Sequence, residues 1–321
     1  MLALPREATV YEVGPRDGLQ NEAATIPTEA KVAFVEALAG AGLRAIEAGA
    51  FVHPQAVPQM ADSDQVLARV QRQVGTRYVA LVPNRRGYER AVAAGAREVA
   101  VFAAASETFS QRNTHCSIGE SFERIGAVLA AARRDDVPVR GYLSTAWYCP
   151  YEGRVDEGAA VGLTRELLDL GVWQVSLGDT IGAATPGEVA SLIERLLPEV
   201  SVDALALHCH NTRGTALANV LAGLQLGITT VDASAGGLGG CPFAPGAAGN
   251  LATEDLVYML EGMGIATGAS LEKVVAASAA IEPYLGHPLT GRTYQALRSQ
   301  VPSESSHRGD RGHREPGECS L

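Results

Sequence analysis

A closed (β/α)8 barrel is the fold this sequence predicts. Eight short apolar runs of strand length alternate with segments of helical length, and no break in composition separates them between residue 9 and about residue 300. At 321 residues, 46% hydrophobic and 19% charged, the chain can bury one large core. Residues 1–301 are therefore read as one barrel domain, with an extra helical segment at its C-terminal end. An open doubly wound sheet is the alternative arrangement of the same elements.

The elements follow in order. Val10–Val13 is the first strand, preceded by eight mixed residues from Met1 to Ala8, and Thr28–Ala41 opens its helix on a threonine start signal. Ala45–Ala48 and Tyr78–Val82 are the second and third strands, and Gly87–Ala94 has helical spacing. Glu98–Ala103 precedes a helix at Ser121–Arg133, and Val139–Leu143 precedes one at Asp156–Leu170. Gln174–Leu177 leads to a helix that starts on proline, Pro186–Leu197. Ala204–His208 leads to Thr215–Leu226, and Thr230–Ala233 leads to Thr253–Met263. From 302 to 321 the run Pro302-Ser303-Glu304-Ser305-Ser306 and its continuation lack apolar periodicity, so a disordered tail is expected.

Composition excludes several classes of function. With 26 basic against 36 acidic residues the net charge is -10, which opposes nucleic acid and anionic membrane surfaces as partners. Apolar runs break well before the roughly 20 residues of a membrane span, and no signal or transit peptide is visible. The odd, scattered cysteines at 116, 149, 209, 241 and 319 read as reduced thiols, so a cytoplasmic location is expected.

In such a barrel chemistry sits where strands end. His208-Cys209-His210 closes the seventh strand, and period-two alternation puts both imidazoles on one face, with Cys209 on the other. Gly14-Pro15-Arg16-Asp17-Gly18-Leu19-Gln20 closes the first strand. Glu47 lies on the second, Arg140 at the start of the fifth and Asp179 at the end of the sixth. Asp17, His208 and His210 offer one oxygen and two nitrogens, a set suited to Mg²⁺ or Mn²⁺ and admitting Zn²⁺ or Co²⁺. A glycine-dense loop, Gly236-Gly237-Leu238-Gly239-Gly240-Cys241-Pro242, carries a thiol at its tip. Asn84, Arg85, Arg86, Arg112 and Asn113 are candidate phosphate or pantetheine contacts on the mouth loops.

Several of these motifs stand together in order. Tyr11-Glu12-Val13-Gly14-Pro15-Arg16-Asp17-Gly18-Leu19-Gln20, Cys149-Pro150-Tyr151-Glu152-Gly153, Ser176-Leu177-Gly178-Asp179-Thr180, His208-X-His210, Gly239-Gly240-Cys241-Pro242 and Gly249-Asn250-Leu251-Ala252-Thr253-Glu254-Asp255 resemble the 3-hydroxy-3-methylglutaryl-CoA lyase family. The resemblance runs from about residue 9 to 290. It implies a TIM barrel and a divalent metal held by Asp17, His208, His210 and Asn250. Arg16 beside the metal, the loop thiol of Cys241, Asp179 and Glu47 are the implied catalytic group. Gln20, Arg140 and Asn113 are expected, with Arg16, to contact an acyl-CoA substrate. The implied reaction is retro-Claisen cleavage to acetoacetate and acetyl-CoA, and a homodimer is expected. Trp147 and Tyr148 stand where the family is usually small, so a lyase for a longer 3-alkyl chain is an alternative. A non-catalytic acyl-CoA-binding barrel is another.

Overall fold

The computed structural model describes residues 4–239 and 249–300. Cys241 and the tail from 302 to 321 therefore lie outside the described residues. Eight parallel strands close into a barrel: β1 (Thr9–Glu12), β2 (Ala45–Ala50), β3 (Arg77–Leu81), β4 (Glu98–Ala104), β5 (Val139–Ser144), β8 (Val175–Asp179), β9 (Leu205–Cys209) and β10 (Thr230–Ala233). Between β5 and β8 a short antiparallel hairpin, β6 (Tyr148–Cys149) with β7 (Gly153–Arg154), is added. Each of the eight expected strands is present at its expected place.

Helices α1 (Thr28–Gly40), α2 (Ser63–Arg69), α3 (Arg85–Ala93), α4 (Glu107–Thr114), α5 (Ile118–Asp135), α6 (Glu157–Leu170), α7 (Pro186–Leu196), α8 (Ala216–Gln225) and α9 (Thr253–Gly262) follow the strands. Their starts carry physical signals. Ser117 and Glu120 form a reciprocal capping box on α5, and on α7, just ahead of Pro186, Glu188 Oε2 accepts from both Thr185 N and Thr185 Oγ1. The extra C-terminal segment is α10 (Leu271–Ile281) and α11 (Arg292–Leu297), with α10 packed on both α1 and α9. No helix among the described residues is long and apolar enough to cross a membrane.

The apolar core is a shell between strands and helices. Outward residues of β8 and β9 such as Leu177, Leu205 and Leu207 meet Leu192, Ile193, Val220 and Leu224 of α7 and α8, all of them buried. A β-carbon on Gly223 would stand 2.4 Å from Leu207 Cδ1, so glycine there lets α8 lie close on its strand. Inside the barrel the residues are polar instead. Tyr11, Arg140, Ser176 and Asp232 point inward and are 2% exposed or less.

Two buried carboxylates tie β1 and α9 to the start of the glycine-rich loop. Glu12 accepts from Gly14 N (2.7 Å), Ala235 N (2.9 Å) and Thr253 Oγ1 (2.6 Å). Glu254 accepts from Gly236 N and from Ser278 Oγ. Burial pushes Glu12 up to about 7 and Glu254 up to about 8 from 4.5, against those hydrogen bonds. A carboxyl raised in this way binds more protons folded than unfolded, so its stabilising contribution is whole below about 4.5 and is lost as pH rises through its folded value. Unfolding free energy, followed by urea titration, is expected to fall across pH 4.5 to about 8 through these groups, and Glu254→Gln should flatten the upper part of that fall relative to wild type.

Candidate active site

The turn after β1 places the first two site residues. Gly14–Gly18 winds into one wide helical turn, with Val13 O accepting from the backbone N–H groups of Arg16, Asp17 and Gly18. Arg16 and Asp17 are thereby turned to the C-terminal mouth. The Arg16 guanidinium pairs with Asp17 Oδ1 at 2.6 Å and, through Nε, with Glu47 on β2. Glu47 is fully buried and also accepts from Tyr142 Oη at 3.3 Å. Arg16 lies 5.5 Å over the Tyr142 ring. Burial opposes the charges here, and the pairings prevail: the two carboxylates hold Arg16 above the usual arginine range, and Arg16 and His208 hold Asp17 down at about 2. Burial raises Glu47 in spite of Arg16.

The two imidazoles come from the end of β9, ring centres 5.3 Å apart. Asp17, His208 and His210 each turn one ligand atom to a common point, those atoms lying within 4.8 Å of one another. His208 Nε2 is 3.8 Å from Asp17 Oδ2. Burial, then the neighbouring His208, lowers His210 to about 4, so it is neutral near pH 7 and has a free lone pair to offer. Its Nδ1 is buried with no hydrogen-bond partner among the described residues. A buried nitrogen in that state is costly unless a cation or water supplies the partner. One carboxylate and two imidazoles with an unsatisfied nitrogen fit a divalent metal ion.

Asn250 is brought to the cluster by pairing with the strand end. It forms an isolated bridge with His210, while Leu251 N donates to Cys209 O at 3.1 Å and Asn211 N donates to Gly249 O at 2.6 Å. As placed, Asn250 Nδ2 donates to Asp17 Oδ2 at 2.7 Å and to Leu238 O at 3.1 Å. Its amide nitrogen thus faces Asp17, and a half-turn of the amide would present the oxygen expected of a ligand. Gln20 Nε2 donates to Asp17 Oδ1 at 2.9 Å.

Arg16, Asp17, Gln20, His208 and His210 sit on the floor of a cavity of about 650 Å³. Its wall includes Asn113, Arg112, Arg124, Asn84, His53 and Tyr151. Asn113 and Gln20 thus both line this cavity. Arg85 and Arg86 start α3 outside that lining. Tyr142, which the sequence reading missed, lines the cavity. It shares the inward face of β5 with Arg140, two residues earlier, and period-two spacing could have found it.

Three expectations are corrected. Arg140 is not in the cavity lining; it is fully buried across the barrel interior, paired with Asp232 at 2.7 Å and 4.0 Å over the Tyr11 ring. Asp179, expected in the catalytic group, accepts from Ala183 N at 2.9 Å and Ala184 N at 3.1 Å and so ties down the loop after β8. Trp147 and Tyr148 do not line the cavity either. Trp147 Nε1 donates to Glu188 O at 3.1 Å and Tyr148 Oη to Glu188 Oε1 at 2.6 Å, so both bind α7.

Because Arg140 and Asp232 satisfy one another out of water, removing one partner strands a buried charge. Arg140→Met is expected to lower unfolding free energy by about 3–5 kcal/mol in urea titrations. Unchanged stability with a raised KM would instead mark a substrate contact.

Similarity to known proteins agrees with this geometry. A family model described as HMGL-like matches residues 7–281. The mitochondrial hydroxymethylglutaryl-CoA lyase of Rattus norvegicus is 50% identical over 296 residues, covering 92% of this chain and 91% of the relative. The crystal structure of hydroxymethylglutaryl-CoA lyase from Pseudomonas aeruginosa superposes with a TM-score of 0.91 at 49% identity, covering 93% of this chain and 99% of that one. An HMG-CoA lyase from Acinetobacter baumannii, in complex with coenzyme A and 3-methylmalate, has a TM-score of 0.86 at 36% identity and covers 97% of this chain and 100% of its own. With the Arg16–Asp17 turn, the His208 and His210 pair and the closed barrel all in place, the chain belongs to the HMGL-like family, that of the hydroxymethylglutaryl-CoA lyases.

Proposed function

We propose that this protein is a metal-dependent carbon–carbon lyase that cleaves 3-hydroxy-3-methylglutaryl-CoA to acetoacetate and acetyl-CoA. The observation that carries the reading is the Arg16 guanidinium standing against Asp17, with His208 and His210, on the floor of one cavity of about 650 Å³. A cavity of that size suits the acyl end of a thioester. The named activity of relatives at about 50% identity supports the substrate, as does the coenzyme A held by the Acinetobacter structure. Trp147 and Tyr148 lie outside the lining, which removes the reason for preferring a longer 3-alkyl chain.

Asp17, His208 and His210, with the Asn250 oxygen after rotation of its amide, would hold the ion; the carboxylate favours Mg²⁺ or Mn²⁺. A divalent cation there supplies the positive charge against which an alcohol loses its proton more readily. The chain's own groups do the rest. Passage of the C3 hydroxyl proton to solvent water in the open cavity lets the C2–C3 bond break, the electron pair passing to the thioester as its enolate while C3 becomes the ketone of acetoacetate. Arg16, held rigid by Glu47 and Asp17, presents a fixed charge to the enolate oxygen as that charge develops. Glu47 is hidden behind Arg16, so its part is to aim the guanidinium. Asp179 shapes the loop after β8, and Gln20 and Asn113 position the acyl chain.

We assign Cys241 as the donor that returns a proton to C2 of the enolate. Gly239, two residues before it in the sequence, is packed against Asn250 and Asp17. A reducing compartment, the cytoplasm, suits Cys116, Cys149 and Cys209, which are buried and unpaired.

Chelation is expected to abolish cleavage of the thioester, and Mg²⁺ or Mn²⁺ to restore it; full turnover by protein shown free of metal by mass spectrometry would end this assignment. Cys241→Ser replaces a thiol by a much weaker acid and should lower kcat by orders of magnitude with KM little changed. A variant as fast as wild type would make the thiol a bystander.

A further inference from the structure

We propose that Asp232, clamped by Arg140 and Ser176 inside the barrel, is the positioning residue that holds His208 in the tautomer with Nδ1 protonated and Nε2 free to face the metal cluster. Nothing in the sequence reading pointed to Asp232, which lies below the cavity and touches no substrate space. The inference rests on the metal-site reading above and deepens it.

The geometry is specific. His208 and Asp232 are direct partners in the parallel register of β9 and β10, and their side chains meet inside the barrel with Nδ1 and Oδ2 3.3 Å apart. Asp232 is fixed before His208 is considered. Arg140 Nη2 donates to Oδ1 at 2.7 Å, Arg140 Nη1 to Oδ2 at 3.3 Å and Ser176 Oγ to Oδ2 at 2.7 Å. Arg140 is in turn held by Gln174, whose Oε1 accepts from Nε at 3.0 Å and whose Nε2 donates to Thr230 Oγ1 at 3.2 Å. Asp232 and Arg140 are at most 2% exposed, so water cannot substitute for a lost partner.

A carboxylate paired with a guanidinium has only lone pairs to offer. The contact with His208 therefore needs the imidazole to donate from Nδ1, which leaves the lone pair of neutral His208 on Nε2. That atom is the one 3.8 Å from Asp17 Oδ2. The opposite tautomer would set two acceptors against each other at Nδ1 and turn a proton into the cluster. A carboxylate–imidazole pair of this kind also fixes the ring's rotation and raises the basicity of the other nitrogen.

The test uses full-length protein labelled with ¹⁵N-histidine, with His208→Gln assigning the His208 signals. In metal-free wild type, long-range ¹H–¹⁵N spectra are expected to show His208 protonated at Nδ1 with Nε2 bare at pH values where it is neutral. A dominant Nε2–H form would overturn the proposal without any variant at Asp232. Asp232→Asn, with Arg140→Gln/Asp232→Asn as a charge-balanced second variant, should mix the tautomers and weaken Mn²⁺ binding, measured by electron paramagnetic resonance, by about 10–100-fold. Asp232→Glu should recover part of the loss. Wild-type tautomer and wild-type Mn²⁺ affinity in a folded Asp232 variant would also overturn it. If wild type itself bound no Mn²⁺, the metal reading would fall, and the tautomer spectra would still decide what Asp232 does.

Discussion

An arginine side chain cannot shed its charge inside a protein, and this barrel is built around two that are out of water. Arg16 is 6% exposed and Arg140 not at all. Each is satisfied only because carboxylates reach it, Asp17 from the same turn and Glu47 from β2 for the first, and Asp232 from β10 for the second. Burying such pairs costs desolvation that their attraction barely recovers, so they are weak as sources of stability. Their effect is on uniqueness: β2, β5, β8 and β10 must arrive in one register for every charge to find its partner. The same arrangement delivers Asp17 and His208 to the mouth in fixed orientations.

Much of this was legible in the sequence because the signals were local. All eight strands carry apolar residues, and several of the helices after them begin with Thr, Ser, Asp or Pro. His208-X-His210 and the Arg16–Asp17 turn were readable for the same reason, since alternation and a strand end suffice to place them. Residues whose role depends on a distant partner were not. Asp232 sits in a short strand, Thr230–Ala233, and satisfies the very criterion that singled out Arg140, a charge where a core strand wants valine. Its meaning appears only when Arg140 from β5 crosses the interior to meet it. Likewise the structural part played by Asp179 is hidden in sequence, because its partners are backbone amides four and five residues later. Short polar helices such as α2 and α4 escaped notice because each has too few turns to show periodicity.

The mouth of the barrel differs from its interior in construction. The floor is made by strand ends and the turn after β1, with hydrogen bonds running back into buried carboxylates. The wall is made by α4, the β6–β7 hairpin and the loops that carry Asn84 and His53. Arg112 lies 4.3 Å over the Tyr151 ring there, and Glu152 accepts from Thr108 N at 2.6 Å, so the wall is knit to itself more than to the floor.

That the His208–Asp232 pair is set by strand register has a consequence for how such a protein can change. Cα partnership between β9 and β10 is a property of the sheet, and no insertion in a mouth loop alters it. Lineages that lengthen, shorten or rewrite the wall can therefore reshape the cavity while the His208–Asp232 pair is inherited intact. The imidazole and its carboxylate lie in strands while the residues of the wall lie in loops and short elements, so the two can vary separately within one barrel.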